Sequence, residues 1–349
     1  MQEGERFPAS SERRPERMFE RLRKLIGACC SAALLAACGS GFPASTAPVA
    51  SSSFSHATSA NLYVANYGNS TVTVYAAGGS SPLRTISQGV NSPRALAFDG
   101  TGNLYVANSE NNTVTVYASG GSSPVRTISQ GIDHPVALAY VANRLYVAND
   151  DNSTVSVYPR GGSAPLRTIS LGIYNPWALV FDGSRNLYVA NRGSFTVTVY
   201  PPGGSSPTRT LTDGINNPFA LAYVANRLYI ANFGENTVAV YPRGGSEPVR
   251  FISQGVDLPQ ALALDGSRNL YVGNLGSETV TVYAPGGSSP LRTISEGIKS
   301  PYALANAVNR LYVANYGNNT VTVYPRGGSS PLRTISQGID EPWALVFGP

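Results

Sequence analysis

The chain has 349 residues, enough for one large domain or two ordinary ones, and only 13% of them are charged, against 36 glycines and 25 prolines. That balance argues against charge-rich helices and favours many short strands joined by turns. The formal charge is +5, and beyond residue 37 the arginines are spread without a basic run, so composition gives no support for a nucleic-acid partner.

The N-terminal segment comes first. In residues 18–41, MFERLRKLIGACCSAALLAACGSG, the cations Arg21, Arg23 and Lys24 precede an apolar or small stretch over 25–37 and a small-residue cleavage region. These are the three parts of a secretion signal. The stretch is too short to span a bilayer at roughly 20 residues per crossing. Residues 35–38, LAAC, resemble a bacterial lipobox. The resemblance implies cleavage before Cys38 and lipidation of that cysteine, hence an exported protein of the bacterial cell envelope, lipid-anchored to a membrane. An ordinary cleaved signal that happens to contain Cys38 is the alternative. Residues 1–37 are read as the signal region, with Met18 the expected translation start because residues 1–17 are polar. Residues 38–60 are rich in Ser, Ala and Pro and read as a flexible tether. Cys29, Cys30 and Cys38 are the only cysteines, so the chain beyond has no disulfide, thiol nucleophile or thiolate metal site.

From residue 61 the chain repeats itself. NLYVAN at 61–66 returns with small changes at 103–108, 144–149, 186–191, 227–232, 269–274 and 310–315, spaced alternately by 42 and 41 residues. Repeats of about 40–45 residues with four strands each are a propeller signature. Each copy has four short β-type segments; in the first they are NLYVAN, TVTVYA, LRTIS and RALAFD, separated by Gly-Gly, Asn-Gly and Pro turns. The first NLYVAN lacks a preceding PxALAF segment, and the last such segment, PWALVF at 342–347, lacks a following LYVAN. The expectation for 61–349 is an all-β, seven-bladed β-propeller with four antiparallel strands per blade. The C-terminal strand should join the N-terminal blade, which closes the ring and removes its open edges. The turn after the inner strand alternates between DGTGN or DGSRN and VANR or AVNR, so the building unit reads as a double blade.

Residues 93–117, PRALAFDGTGNLYVANSENNTVTVY, resemble the NHL-repeat propellers, and more loosely the gluconolactonase-like and streptogramin-lyase-like propellers. The resemblance is specific for architecture and weak for activity, because this fold hosts enzymes and binders alike.

Comparing copies separates what every blade needs from what single blades do. Ala-Leu recurs in every inner strand (Ala95-Leu96 in the first), which fits a small residue at the crowded axis and a leucine against the next blade. The tyrosines of LYVAN and TVTVY make up 14 of the chain's 20 and are the expected glue between blades. The asparagine ending LYVAN (Asn66, Asn108, Asn149, Asn191, Asn232, Asn274, Asn315) reads as a turn former, with a ring of ligand-binding amides as the alternative. The arginine of PLRTIS (Arg84 in the first copy) is expected at the rim, guarding exposed strand edges, with contact to anionic lipid or polysaccharide as a lesser reading.

The copies disagree just after the inner-strand proline: Arg94, Val136, Trp177, Phe219, Gln260, Tyr302 and Trp343. By the fold these positions and their loops, His134 included, meet at one channel mouth and suit stacking and hydrogen bonding to a protein, peptide or glycan. The competing reading is an aromatic plug. His134 beside Asp133 could serve as a general base, but sequence neighbours on an extended segment point apart. Gluconolactonase-like relatives hold a divalent metal, and the resemblance makes Asp133, Asp257, Asp340 and Glu341 weak candidates for a cation such as calcium; no family metal motif is intact. The channel His and Glu of streptogramin-lyase-like enzymes have no counterpart that can be placed. No phosphate loop, zinc spacing or nucleophile elbow appears. The sequence reading is therefore a monomeric, non-enzymatic, lipid-anchored binding or scaffolding protein without a cofactor. The alternatives are a metal-dependent lactonase or lyase, and a purely structural envelope protein.

Overall fold

The computed structural model describes residues 60–307 and 309–349. The signal region, Cys38 and nearly all of the tether lie outside the described residues. Within them, 28 strands form seven four-stranded antiparallel sheets, and the only helical element is the single 3-10 turn Tyr316–Asn318. No helix among the described residues is long and apolar enough to cross a membrane.

Each sheet is one sequence repeat, offset by a strand as the termini require. Strands β1 (Asn61–Asn66), β2 (Thr71–Tyr75) and β3 (Pro82–Ile86) form blade 1 together with β28 (Pro342–Gly348), in the order β28-β1-β2-β3. The closing pair runs from Asn61 opposite Gly348 to Asn66 opposite Pro342, and the Tyr63 hydroxyl donates to the Pro349 carbonyl at 2.7 Å. Blade 2 is β4 (Pro93–Phe98), β5 (Leu104–Asn108), β6 (Thr113–Tyr117) and β7 (Pro124–Ile128), and blades 3 to 7 repeat that order. The innermost strands pack one against the next all the way round, with β28 touching both β4 and its neighbour in blade 7. The ring is thus closed by hydrogen bonds and packing.

The blade interfaces form the core. Leu62, Val64 and Tyr75 pack with Ala303, Leu304 and Tyr324 of blade 7, while Tyr63, Ala65 and Val72 pack with Leu96, Leu104 and Tyr117 of blade 2. Alternation along LYVAN sends Leu and Val to one neighbour and Tyr and Ala to the other, so both faces of each sheet are dry.

The double-blade alternation has a backbone cause. In the longer copies an aspartate closes the hairpin: Asp99 Oδ1 accepts from the Thr101 and Asn103 amides, and Gly102 takes φ +84°. Asp182 and Asp265 do the same in blades 4 and 6. In the shorter copies two residues suffice; Ala142 and Asn143 both lie at positive φ (51° and 58°), the requirement of a type I′ hairpin.

The rim differs in part from the sequence expectation. Arg84 and its counterparts sit on the outermost strand, but they are half-buried, and the Arg84 guanidinium donates to the Tyr63 hydroxyl at 3.0 Å. The residue before the arginine faces solvent instead: Leu83, Val125, Leu166, Thr208, Val249, Leu291 and Leu332. The arginine therefore works as a strut, to the tyrosine of its own blade at Arg84, Arg126 and Arg292 and to a loop carbonyl of the next blade at Arg209 and Arg250.

Candidate functional site at the channel mouth

The mouth is built from two loops per blade. One is the crossover from the outermost strand of a blade to the innermost strand of the next; the other is the turn after LYVAN. The crossover turns on a glycine at positive φ, from 59° at Gly214 to 78° at Gly172. It ends on a left-handed residue before the proline, with φ between 44° and 51° at Ser92, His134, Asn175, Asn217, Leu258, Ser300 and Glu341. Such residues are strained unless their surroundings hold them.

The repeated polar residues supply that hold. Asn66 is fully buried; its amide donates to Thr71, Thr73 and the Gly338 carbonyl, and its Oδ1 accepts from the Asp340 amide at 3.2 Å. Tyr75 then donates to the Gln337 carbonyl at 2.6 Å. The tyrosine clamp recurs in all seven blades, from Tyr117 to Gln88 through to Tyr324 to Glu296. All seven LYVAN asparagines are likewise 0% exposed. Their amides are committed to the crossover loops and do not form a ring of ligand donors.

On this frame stand the residues that vary. Each post-proline side chain lies at a register shift in its inner strand, as Arg94 does between Pro93 and Ala95. All of them are buried: Arg94 is 7% exposed, Gln260 1%, and the others no more than 3%. They gather in two aromatic clusters. Around Trp343 are Tyr302 at 5.3 Å and Tyr67 at 4.8 Å between ring centroids, and Tyr316 stacks on Tyr302 at 4.3 Å. The Arg94 guanidinium lies 4.8 Å from the Trp343 ring and 5.4 Å from Tyr67. Around Trp177 are Phe219 at 5.5 Å and, stacked on Phe219, Phe233 at 4.5 Å. Arg192 lies 4.2 Å above Trp177. Val136 interrupts this aromatic set in blade 3, and Gln260 does so in blade 6.

Beside these clusters stands a position the sequence reading passed over, the residue directly after the LYVAN asparagine, half-buried in five blades and buried in two. It reads Tyr67, Ser109, Asp150, Arg192, Phe233, Leu275 and Tyr316. Its amide is pinned to the crossover, as from Tyr67 to the Glu341 carbonyl at 3.1 Å, so the side chain is held over the mouth. The signal was in the sequence: this position varies as widely as the post-proline one. Burial, reinforced by the Glu341 carboxylate beside it, pushes the Tyr316 phenol well above its ordinary value, so it stays neutral. The Trp343 indole N–H and the Arg94 Nε are buried without a hydrogen-bond partner.

The acidic candidates do not converge. Asp340 folds over Gly68 and Asp257 over Gly276, each in its own crossover, and Asp133 and Glu341 belong to further loop positions of blades 3 and 1. His134 Nδ1 lies 3.7 Å from a carboxylate oxygen of Asp150 and 3.7 Å from one of Asp151. Among the described residues, His134, Asp150 and Asp151 are the one group of three or more potential metal ligands close enough to share an ion. Two surface clefts lie outside the aromatic clusters. One, of about 390 Å³, is lined by Tyr146, Phe181 and Arg185; the other, of about 440 Å³, by Phe195, Phe251 and Glu235.

Fold and site together define a seven-bladed β-propeller with a uniform frame and one variable mouth. Within it, residues 90–117, the inner three strands of blade 2 and the end of the crossover before them, match the model of the NHL repeat family. No curated protein matches the sequence. Similar solved structures include a functionally unknown protein from Desulfotomaculum acetoxidans DSM 771, with 15% identity, a TM-score of 0.70, and coverage of 82% of this chain and 98% of that one. A protein from Lactobacillus plantarum has 18% identity and a TM-score of 0.69, covering 83% and 99%. A computationally designed protein has 18% identity and a TM-score of 0.64, covering 92% and 96%. At such identities the likeness is one of fold.

Proposed function

We propose that this protein is a non-enzymatic binding module, lipid-anchored to the bacterial cell envelope through Cys38, that takes a peptide or glycan on its variable mouth. One observation carries the reading: within a frame that is nearly the same in every blade, the side chains that differ collect at one end of the channel as half-buried aromatic and arginine surfaces. Tyr67 and Tyr316 over Trp343, and Phe233 and Arg192 over Trp177, offer flat faces for stacking. The unpartnered Trp343 N–H suits an acceptor such as a carbonyl or hydroxyl. The tether of residues 38–60 gives such a module reach from the membrane.

Because Trp177 and Trp343 are buried, replacing them would disturb packing as well as binding; the test belongs to the layer above. Full-length protein is screened on glycan and peptide arrays, and the strongest binder is titrated against Tyr67→Ala, Tyr316→Ala and Arg192→Ala. A loss of about 10-fold or more in at least two variants is expected, from the value of stacking and cation–π contacts. Unchanged affinity in all three refutes the mouth as the site. Lactone hydrolysis dependent on a divalent ion would favour the enzymatic alternative.

A further inference from the structure

Blade 3 departs from the repeat three times at one junction. His134 stands where other copies have Ser, Asn, Leu or Glu; Asp150 where they have Tyr, Ser, Arg, Phe or Leu; and Asp151 where five of them have glycine. The glycine has a reason in those five, because a crossover side chain folds over it, as Asp340 does over Gly68 and Asn175 over Gly193. A carboxylate at 151, matched only by Glu110 in blade 2, is therefore not something the frame asks for. The amide of Asp150 donates to the His134 carbonyl at 3.1 Å, which ties the two loops together and sets the three residues side by side.

Two of their polar atoms are left unsatisfied. Asp150 is 7% exposed, yet its Oδ1 is buried with no hydrogen-bond partner, and the same holds for His134 Nδ1. At 3.7 Å, the separations from Nδ1 to the two carboxylates are too long for hydrogen bonds. A buried carboxylate oxygen without a donor is costly. The two distances from His134 do match ligands of a common ion: two donors each about 2.1 Å from a metal lie roughly 3 to 4 Å apart. All three ligand atoms lie within 4.8 Å of one another.

We propose that His134 Nδ1, Asp150 and Asp151 bind one divalent first-row transition ion of the zinc class at the mouth of blade 3. Imidazole nitrogen selects such ions over calcium and magnesium, which prefer all-oxygen shells. Three protein ligands leave further coordination positions to water or to a ligand in the mouth. The set differs from the acidic candidates of the sequence and is independent of the aromatic clusters.

The repeat provides its own controls. His134→Asn, Asp150→Ser and Asp151→Gly each install a residue that another blade carries at that position, as at Asn175, Ser109 and Gly193, so the frame tolerates them. Full-length protein, first stripped with a chelator, is titrated with Zn²⁺ and separately with Ca²⁺ by calorimetry, and with Co²⁺ by visible absorption. Binding of one Zn²⁺ per chain, a Co²⁺ ligand-field spectrum, and at least about 10-fold weaker Zn²⁺ binding in each variant are expected. No Zn²⁺ binding, a Ca²⁺ affinity equal to that for Zn²⁺, or Zn²⁺ binding unchanged in the variants would overturn the site.

Discussion

Two junctions at the same mouth share a backbone and little else. At blade 1 the Tyr67 amide donates to the Glu341 carbonyl, and at blade 3 the Asp150 amide donates to the His134 carbonyl, both at 3.1 Å. In both, the LYVAN asparagine reaches the crossover glycine carbonyl, at 3.1 Å from Asn66 and 3.2 Å from Asn149. Yet blade 1 fills its junction with Trp343, Tyr67 and a guanidinium, while blade 3 holds an imidazole, two carboxylates and the small Val136. The clamps hold the loop whatever the filling, which frees that filling to differ from blade to blade. The side chains that hold the loops and those that distinguish the blades are separate sets, and perturbations of the two sets should differ in kind.

The largest effect should come from the part both junctions share. Burial pushes the clamp tyrosines Tyr75, Tyr117, Tyr158 and Tyr283 up to about 12 from 10.0, and raises Tyr200, Tyr241 and Tyr324 as well. A pKa raised in the folded state means that the neutral phenol is favoured there. That stability is fully present below the unfolded value and is lost as pH rises through the folded one. The ring is therefore expected to unfold cooperatively between roughly pH 10 and 12, with every junction lost together. Circular dichroism followed alongside phenolate absorbance checks this; phenolate formation at ordinary pKa without unfolding would contradict the clamp. A smaller effect should set the two junctions apart. Trp343→Ala is expected to cost about 3–5 kcal/mol, as truncation of a buried tryptophan does. Asp150→Ser is expected to stabilise the metal-free protein by about 0.5–1.5 kcal/mol, since it removes a carboxylate with one buried, unpartnered oxygen. The new hydroxyl has an acceptor waiting, because Ser109 already donates to the Ser92 carbonyl at 2.9 Å in blade 2. Denaturant midpoints measure both, and a destabilising Asp150→Ser would show that the blade 3 cluster is an ordinary ion pair.

Most of the fold was legible because a repeat states each packing problem seven times. Four segments per copy, the strand offset at the termini and the 42/41 alternation gave the blade count, the closure and the two turn types. The site was legible only in part. Variation marked the post-proline residues, but their burial depends on how far the crossover tucks them under the neighbouring turn, a tertiary distance that no spacing encodes. The approach of His134 to Asp150 and Asp151 is of the same kind: 16 and 17 residues apart, they meet because a loop and a turn are pinned together. The arginine strut was misplaced in emphasis for a related reason, since an alternating strand pattern says which face Arg84 takes but not that Tyr63 lies within its reach.

The smallest expected change tests whether the frame itself has a compromised junction. In five blades the last residue of the turn after LYVAN lies at positive φ, and its side chain accepts the amide of the next pre-proline residue: Ser70 from Ser92, Asn112 from His134, Ser153 from Asn175, Asn236 from Leu258 and Asn319 from Glu341. Blade 6 has Glu278 there, which pairs with Lys299 at 2.7 Å instead. Blade 4 has Phe195, at φ 57° and 50% exposed. A phenylalanine is disfavoured in that region and has no oxygen to offer the Asn217 amide, so it breaks two local rules while leaving an aromatic ring in solvent. Asn at 195 would relieve the backbone and restore the inter-blade hydrogen bond in the geometry seen at Asn112, Asn236 and Asn319. Phe195→Asn is thus expected to stabilise the ring by about 1–2 kcal/mol, and Asn112→Phe to destabilise it by a similar amount, from the cost of an unfavourable left-handed residue and a lost hydrogen bond. Thermal or denaturant melts of the pair decide it. If Phe195→Asn fails to stabilise while Asn112→Phe destabilises, the Phe195 ring contributes packing in its own cleft that offsets the strain.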